Sequence, residues 1–136
     1  MTSGYSGTPL GRKLGYRARM RVLIGDMPDA VRHEVERSLG EKPDWLRIPE
    51  ANLEAAHVFA SSRELLTDRL NALMPLLDRA GFIWVSWPKK ASKVATDITE
   101  DVIREVALPM HLVDVKVCSV DDIWSGLKLV IRKEHR

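Results

Sequence analysis

The chain has 136 residues, of which 45% are hydrophobic and 29% charged, and its single cysteine, Cys118, excludes an internal disulfide. A chain of this length can bury a core without a metal or a disulfide, so we predict a single domain over residues 1–136 with a flexible arm at residues 1–8. The formal net charge of +2 is too small to indicate a nucleic-acid partner, and no apolar run approaches the ~20 residues of a membrane span, so we expect a cytoplasmic protein with no membrane partner.

The first half of the chain alternates between strand and helix patterns. The pattern predicts, in chain order, a short helix from Pro9 that Gly15 ends, a strand over 20–24, a helix from Pro28 that Gly40 ends, strands over 45–48 and 56–60, and a helix with apolar residues from Leu65 to Leu77. Thr8 is the predicted N-cap of the first helix, and Ser61 with Glu64 forms a capping-box pattern before the last. Pro75 predicts a kink or break late in that helix.

The second half continues the alternation and ends in a hairpin. Residues 82–87 are nearly all apolar, which is typical of a central strand buried on both faces. A basic loop over 89–98 leads to a helix that Asp97 or Thr99 caps. Alternating apolar residues over 113–118 and 127–132 predict two antiparallel strands joined by a turn at Asp121 and Asp122. We read Cys118 as a buried or half-buried strand residue.

Together these elements predict a three-layer Rossmann-like α/β fold. Right-handed crossovers limit the arrangements, and we favour the sheet order 2-1-3-4-6-5 with the last strand antiparallel. This layout resembles the class I S-adenosylmethionine-dependent methyltransferase fold, reduced by one strand–helix unit. The segments Phe82–Lys93 and Val113–Lys133 also resemble a family of short bacterial proteins of unknown function, most specifically at Val85–Lys90 and Trp124–Lys133.

The resemblance implies a cofactor site at the ends of the first two strands. Gly25 and Asp26 follow the first strand, and Glu50, near the end of the second, would hold the ribose hydroxyls of S-adenosylmethionine. However, the turn Gly25-Asp26-Met27-Pro28 has one glycine, where such enzymes have several that let the backbone approach the cofactor. This departure places the usual cofactor in doubt, so no cofactor is established by the sequence.

The same edge of the sheet offers a second set of candidate ligand contacts. Ligands of open α/β sheets bind beyond the carboxyl ends of the strands. This edge should collect donors and cations that suit an anion, with a tryptophan that can stack on a ring: Ser61, Ser62, Ser86, Trp87, Lys89, Lys90 and Lys93. Structural roles compete with these assignments, because Ser61, Ser62 and Asp26 can also act as helix caps and a basic loop can simply be solvated.

Two other features complete the prediction. Arg12, Lys13, Arg17, Arg19 and Arg21 form a basic cluster without an intervening acid, which we read as a solvated arm rather than a nucleic-acid contact. The histidines lack metal-ligand spacing, and no catalytic triad is recognisable.

Three functions therefore stay open, and the sequence does not decide whether the chain is an enzyme. The first is a module that binds an anionic small molecule at the carboxyl edge. The second is a divergent S-adenosylmethionine-dependent enzyme, and the third is an interaction protein that forms a homodimer through its C-terminal hairpin.

Overall fold

The computed structural model describes residues 7–136, so the predicted arm at 1–8 lies outside the described residues except for Gly7 and Thr8, which are exposed. The helices are α1 (Leu10–Lys13), α2 (Asp29–Leu39), α3 (Arg63–Leu73) and α4 (Glu100–Ala107). The strands are β1 (Arg21–Gly25), β2 (Asp44–Leu46), β3 (Leu53–Phe59), β4 (Leu77–Pro88), β5 (Leu112–Ser119) and β6 (Trp124–Ile131). Short 3-10 turns cover residues 90–92, 108–110 and 133–135.

The six strands form one mixed sheet in the order β2-β1-β3-β4-β6-β5, which confirms the predicted order. β1 pairs in parallel with β2 and β3, and β3 pairs in parallel with β4. β6 runs antiparallel to both β4 and β5, because only a short turn, and no crossover helix, joins β5 to β6. The carboxyl ends of all the strands except β6 therefore meet at one edge of the sheet.

Each face of the sheet has its own hydrophobic core. Side chains alternate along a strand, so Ala56 and Val58 of β3 face one side, and Ala55, His57 and Phe59 face the other. The first cluster packs against α3 and α4, and we call this side the α3–α4 face. The second packs against α1 and α2, and we call it the α1–α2 face. The helices on both faces give the predicted three layers.

The long strand β4 starts earlier than the sequence indicates. Leu77, predicted as the end of a helix, pairs with Leu53 at the start of β4 instead. The helix ends at Leu73, because Pro75 cannot donate the backbone hydrogen bond that would continue it. At the first helix, Pro9 and not Thr8 occupies the N-cap position, so that cap assignment is wrong.

β5 forms the outer edge on the hairpin side. Its valines Val115 and Val117 are 54% and 49% exposed. A bulge between Asp114 and Lys116 interrupts its register with β6, and bulges at sheet edges oppose pairing with another strand. The homodimer stays a prediction.

Candidate functional site

A groove lies on the α3–α4 face, where β1 and β3 run beneath α3. Its floor is formed by Leu23 and Gly25 of β1 and by Ala56 and Val58 of β3. The walls come from α3, from the residues that follow it and from the segment after β2: Arg69, Ala72, Leu73, Leu76, Arg47 and Pro49. The volume is about 210 Å³, and we call this cavity the arginine groove. It combines an apolar floor with two guanidinium groups, an arrangement suited to a small ligand that carries negative charge.

The turn after β1 borders the arginine groove. Gly25 is exposed, and a Cβ added there would meet only Nη1 of Arg69, at 3.9 Å, so the backbone is open to a ligand. Asp26 has a positive φ of 61° and accepts a hydrogen bond from Nη2 of Arg69 at 3.3 Å. Pro28 occupies the N-cap position of α2, so the reading of Asp26 as a helix cap is wrong. Instead, Asp26 holds Arg69 over Gly25.

Glu50 is not brought to Gly25. Its carboxylate accepts a hydrogen bond from Arg21 at 2.9 Å, and Arg21 stands at the amino end of β1, away from the ligand edge. The chain turns back after the three-residue strand β2, which carries Glu50 towards the opposite edge. Arg47, which follows β2 directly, lines the groove in its place. Arg47 forms no ion pair or hydrogen bond with any residue that the structure describes.

Of the predicted contacts over 86–93, Trp87 and Lys90 line one cavity, whereas Ser86, Lys89 and Lys93 do not line it. Ser86 is fully buried and bonded to His57, so it is closed to a ligand. Trp87 is 8% exposed and packs in the core of the α3–α4 face. Lys89 points to Ser119, with 2.6 Å from its Nζ to the hydroxyl oxygen, whereas Lys90 and Lys93 are exposed.

A second cavity, of about 560 Å³, lies beyond Trp87 and Lys90. It is also lined by Glu100, Asp101 and Arg104, and this arginine donates hydrogen bonds to both carboxylates. Carboxylates beside the cavity oppose the binding of an anion there.

The predicted anion position at the start of α3 is occupied by a carboxylate of the protein, that of Asp97. The N-cap is Ser62, whose hydroxyl accepts a hydrogen bond from the Leu65 backbone at 3.1 Å, so the capping role predicted for Ser61 is one residue off. The Arg63 backbone donates to the Asp97 carboxylate at 2.7 Å. Because this carboxylate already occupies the helix end, an external anion has little to gain there.

A buried polar network is the feature that the sequence reasoning missed. His57 is 1% exposed, with Nδ1 at 2.8 Å from the Tyr16 hydroxyl and Nε2 at 2.7 Å from the Ser86 hydroxyl. Burial lowers the pKa of His57 to about 3 and raises the pKa of Tyr16 well above its ordinary value. The imidazole is therefore neutral, so one hydroxyl donates to the ring and the other accepts from it. An alternating strand pattern does not show that Tyr16, which follows α1, and Ser86 of β4 will meet the polar residue His57.

Within residues 7–136, no group of three or more His, Cys, Asp or Glu side chains is placed to hold a metal ion, and no helix is long and apolar enough to cross a membrane.

Solved structures similar to this chain include methyltransferases and a protein solved with S-adenosylhomocysteine. A candidate methyltransferase from Thermoplasma acidophilum matches with a TM-score of 0.62 and 9% identity over 98% of this chain and 77% of that one. The magnesium protoporphyrin IX methyltransferase ChlM from Synechocystis PCC 6803, with bound S-adenosylmethionine, matches with a TM-score of 0.56 and 12% identity over 90% and 74%. A LepI variant in complex with S-adenosylhomocysteine and a substrate analogue gives 0.52 and 11% over 93% of this chain, which spans only 41% of LepI.

The fold is methyltransferase-like. Identities this low show the fold alone. No family model matches the sequence, and no curated protein matches it, so the resemblance to a family of short bacterial proteins stays a prediction.

The side chains fit the implied cofactor poorly. S-adenosylmethionine carries a positively charged sulfonium and a ribose whose hydroxyls need an acceptor. The end of β2 presents Arg47 instead of a carboxylate, and Asp26 is already engaged by Arg69. Two guanidinium groups beside a sulfonium repel it, so the arginine groove suits an anion better than this cation.

Proposed function

We propose that the chain is a binding domain for an anionic small molecule, which it holds in the arginine groove. The observation that carries the proposal is the pairing of an apolar floor with Arg47, a cation without a partner among residues 7–136, and Arg69, a cation that bridges to the turn after β1. A ligand with a flat apolar part and a phosphate or carboxylate would satisfy both. The groove begins at Gly25, on the ligand edge common to open α/β sheets, and extends under α3 to Leu76.

Two interactions would contribute to the free energy of binding. Hydrogen bonds between a guanidinium and an anion are each worth about 1.5–3 kcal/mol, and a planar anion can receive two from one arginine. Covering Leu23, Ala56 and Val58 adds a hydrophobic contribution of roughly 25 cal/mol per Å² of apolar surface removed from water. The proposal assigns binding and no chemical step, because the ring of His57 faces the opposite side of the sheet.

S-adenosylmethionine-dependent activity is the second candidate. At the level of the fold the comparisons favour it over an anion-binding module, since ChlM is seen with S-adenosylmethionine bound. The open backbone at Gly25 also supports it. The two arginines oppose it for S-adenosylmethionine, but less for S-adenosylhomocysteine, which lacks the sulfonium charge.

Titration calorimetry separates the candidates. The probes are adenosine monophosphate, S-adenosylmethionine and S-adenosylhomocysteine, which share the adenosine and differ in charge. We expect the monophosphate to bind most tightly, and its affinity to fall at least tenfold in the double variant Arg47→Gln, Arg69→Gln. Arg12→Gln, on the exposed side of α1, is the matched control and should bind like the parent protein.

A third variant tests the location. Gly25 has no positive φ, and its Cβ position is open, so Gly25→Leu should fold normally and close the groove. Tighter binding of S-adenosylmethionine than of the monophosphate, unweakened by the arginine substitutions, would overturn the anion proposal in favour of the second candidate. If none of the three probes binds at millimolar concentration, both candidates fail.

A further inference from the structure

Two basic segments that are far apart in the sequence meet at the end of β5. Lys13, from the basic stretch before β1, places its Nζ at 2.7 Å from the Ser119 carbonyl oxygen. Lys89, from the loop after β4, places its Nζ at 2.6 Å from the Ser119 hydroxyl. Lys116, on β5 itself, donates to the Lys13 carbonyl at 3.2 Å. We call Lys13, Lys89 and Lys116 around Ser119 the lysine cluster.

The lysine cluster has no carboxylate partner in the part of the chain that the structure describes. Every ion pair among residues 7–136 has an arginine as its cation, so none of the three ammonium groups is neutralised within the described part of the chain. The nearby Asp121 accepts hydrogen bonds from the backbones of Ile123 and Trp124, which commits one of its oxygens to the turn. Like charges held at one residue repel each other unless an anion joins them.

We propose that the lysine cluster is a second binding site, for a compact phosphate group such as a pyrophosphate or a phosphate monoester. The Lys13 and Lys89 ammonium groups both reach Ser119, and Lys116 bonds to the Lys13 carbonyl, so the set matches one small polyanion. A nucleic-acid backbone would instead need cations spaced along a stripe. Lysine is well suited to this task, because its flexible stem lets three point charges gather around one phosphate.

This site is separate from the arginine groove. Cys118, next to Ser119, packs against the core of the α1–α2 face, and Lys13 comes from α1 on that same side. The arginine groove lies over β1 and β3, whereas the lysine cluster lies at the end of β5, so β4 and β6 stand between the two sites in the sheet. The inference therefore does not depend on the proposed function.

The reactivity of Cys118 can report whether an anion is bound to the lysine cluster. Cys118 is the only cysteine of the chain and is half-buried. Burial raises the pKa of its thiol, while Lys13, Lys116 and Lys89 act to lower it. An anion that binds these lysines should weaken their effect on the thiol, leaving less thiolate at a given pH and slowing alkylation.

The first experiment measures pyrophosphate binding by calorimetry at constant ionic strength. We expect saturable binding in the parent protein and at least tenfold weaker binding in the triple variant Lys13→Gln, Lys89→Gln, Lys116→Gln. The matched control is Lys90→Gln with Lys93→Gln, which removes two exposed lysines from the same loop and should bind like the parent protein. Gly25→Leu should also leave pyrophosphate binding unchanged.

The second experiment uses the unsubstituted protein, so it does not depend on how the triple variant folds. Pyrophosphate should slow the reaction of Cys118 with iodoacetamide at least threefold, whereas sodium chloride of equal ionic strength should not. The inference is overturned if pyrophosphate gives no protection, or if the triple variant binds it as well as the parent protein does. Tighter binding of a single-stranded oligonucleotide than of pyrophosphate would overturn it as well.

Discussion

Acidification should destabilise this protein through His57, a fully buried histidine. The unfolded chain takes up a proton on this imidazole below a pKa near 6.5, whereas the folded chain does not do so until about pH 3. Between these values the unfolded state binds more protons, so the free energy of unfolding falls as the pH falls. With these two pKa values, the stability lost at pH 5 relative to pH 8 amounts to about 2 kcal/mol.

Urea unfolding at pH 8, 6 and 5 measures this loss in the parent protein and in His57→Gln. The variant is less stable at every pH, because glutamine replaces imperfectly the bonds to Tyr16 and Ser86. Its pH dependence, however, should be shallower by about 2 kcal/mol between pH 8 and 5, since glutamine does not titrate. His33→Gln, an exposed histidine of α2, is the control and should keep the steep profile.

An equal pH dependence in the parent protein and His57→Gln would refute the reasoning. It would mean that the imidazole is protonated in the folded state or reaches water. The ring resonances of His57 offer an independent check, because they should stay nearly unchanged from pH 8 to pH 4.

Two further predictions concern stability. Ser62→Ala should cost about 1 kcal/mol, because it removes the N-cap of α3, whereas Ser61→Ala should change the free energy of unfolding by much less; urea unfolding compares them, and an equal effect would contradict the assignment. Gly81→Ala should cost about 1–3 kcal/mol, because its Cβ would lie 2.9 Å from the carbonyl oxygen of Glu54, whereas Gly25→Ala should be tolerated; equal thermal stability of the two variants would count against the packing argument.

The order of the sheet could be predicted because it depends on local patterns. Short apolar runs separated by helical patterns give parallel strands, and right-handed crossovers leave few arrangements. The alternation over β5 and β6, with a turn of a few residues between them, gives the antiparallel hairpin. The errors lie at element ends, where the decisive contact is distant in sequence: Leu77 joins β4 because Leu53 is available beside it.

The candidate site was predicted only in part for the same reason. Gly25 was found because a glycine directly after a strand is a local signal. Arg69 lies on the outer side of a helix and Arg47 follows a three-residue strand, and neither carries a local sign of function. Glu50 had suitable spacing, but Arg21 draws it to the other edge of the sheet.

The sequence by itself determined the fold class and the strand order of this protein, because periodicity and turn residues act over a few positions. Only the tertiary structure decided which charged side chains lie close together. In the sequence, the turn between Gly25 and Pro28 was notable because it has one glycine where methyltransferases have several. The structure shows an arginine lying over that turn, and lysines from two separate basic segments gathered at the end of β5. Contacts between charged side chains that are far apart in the sequence depend on how α1 and α3 pack against the sheet.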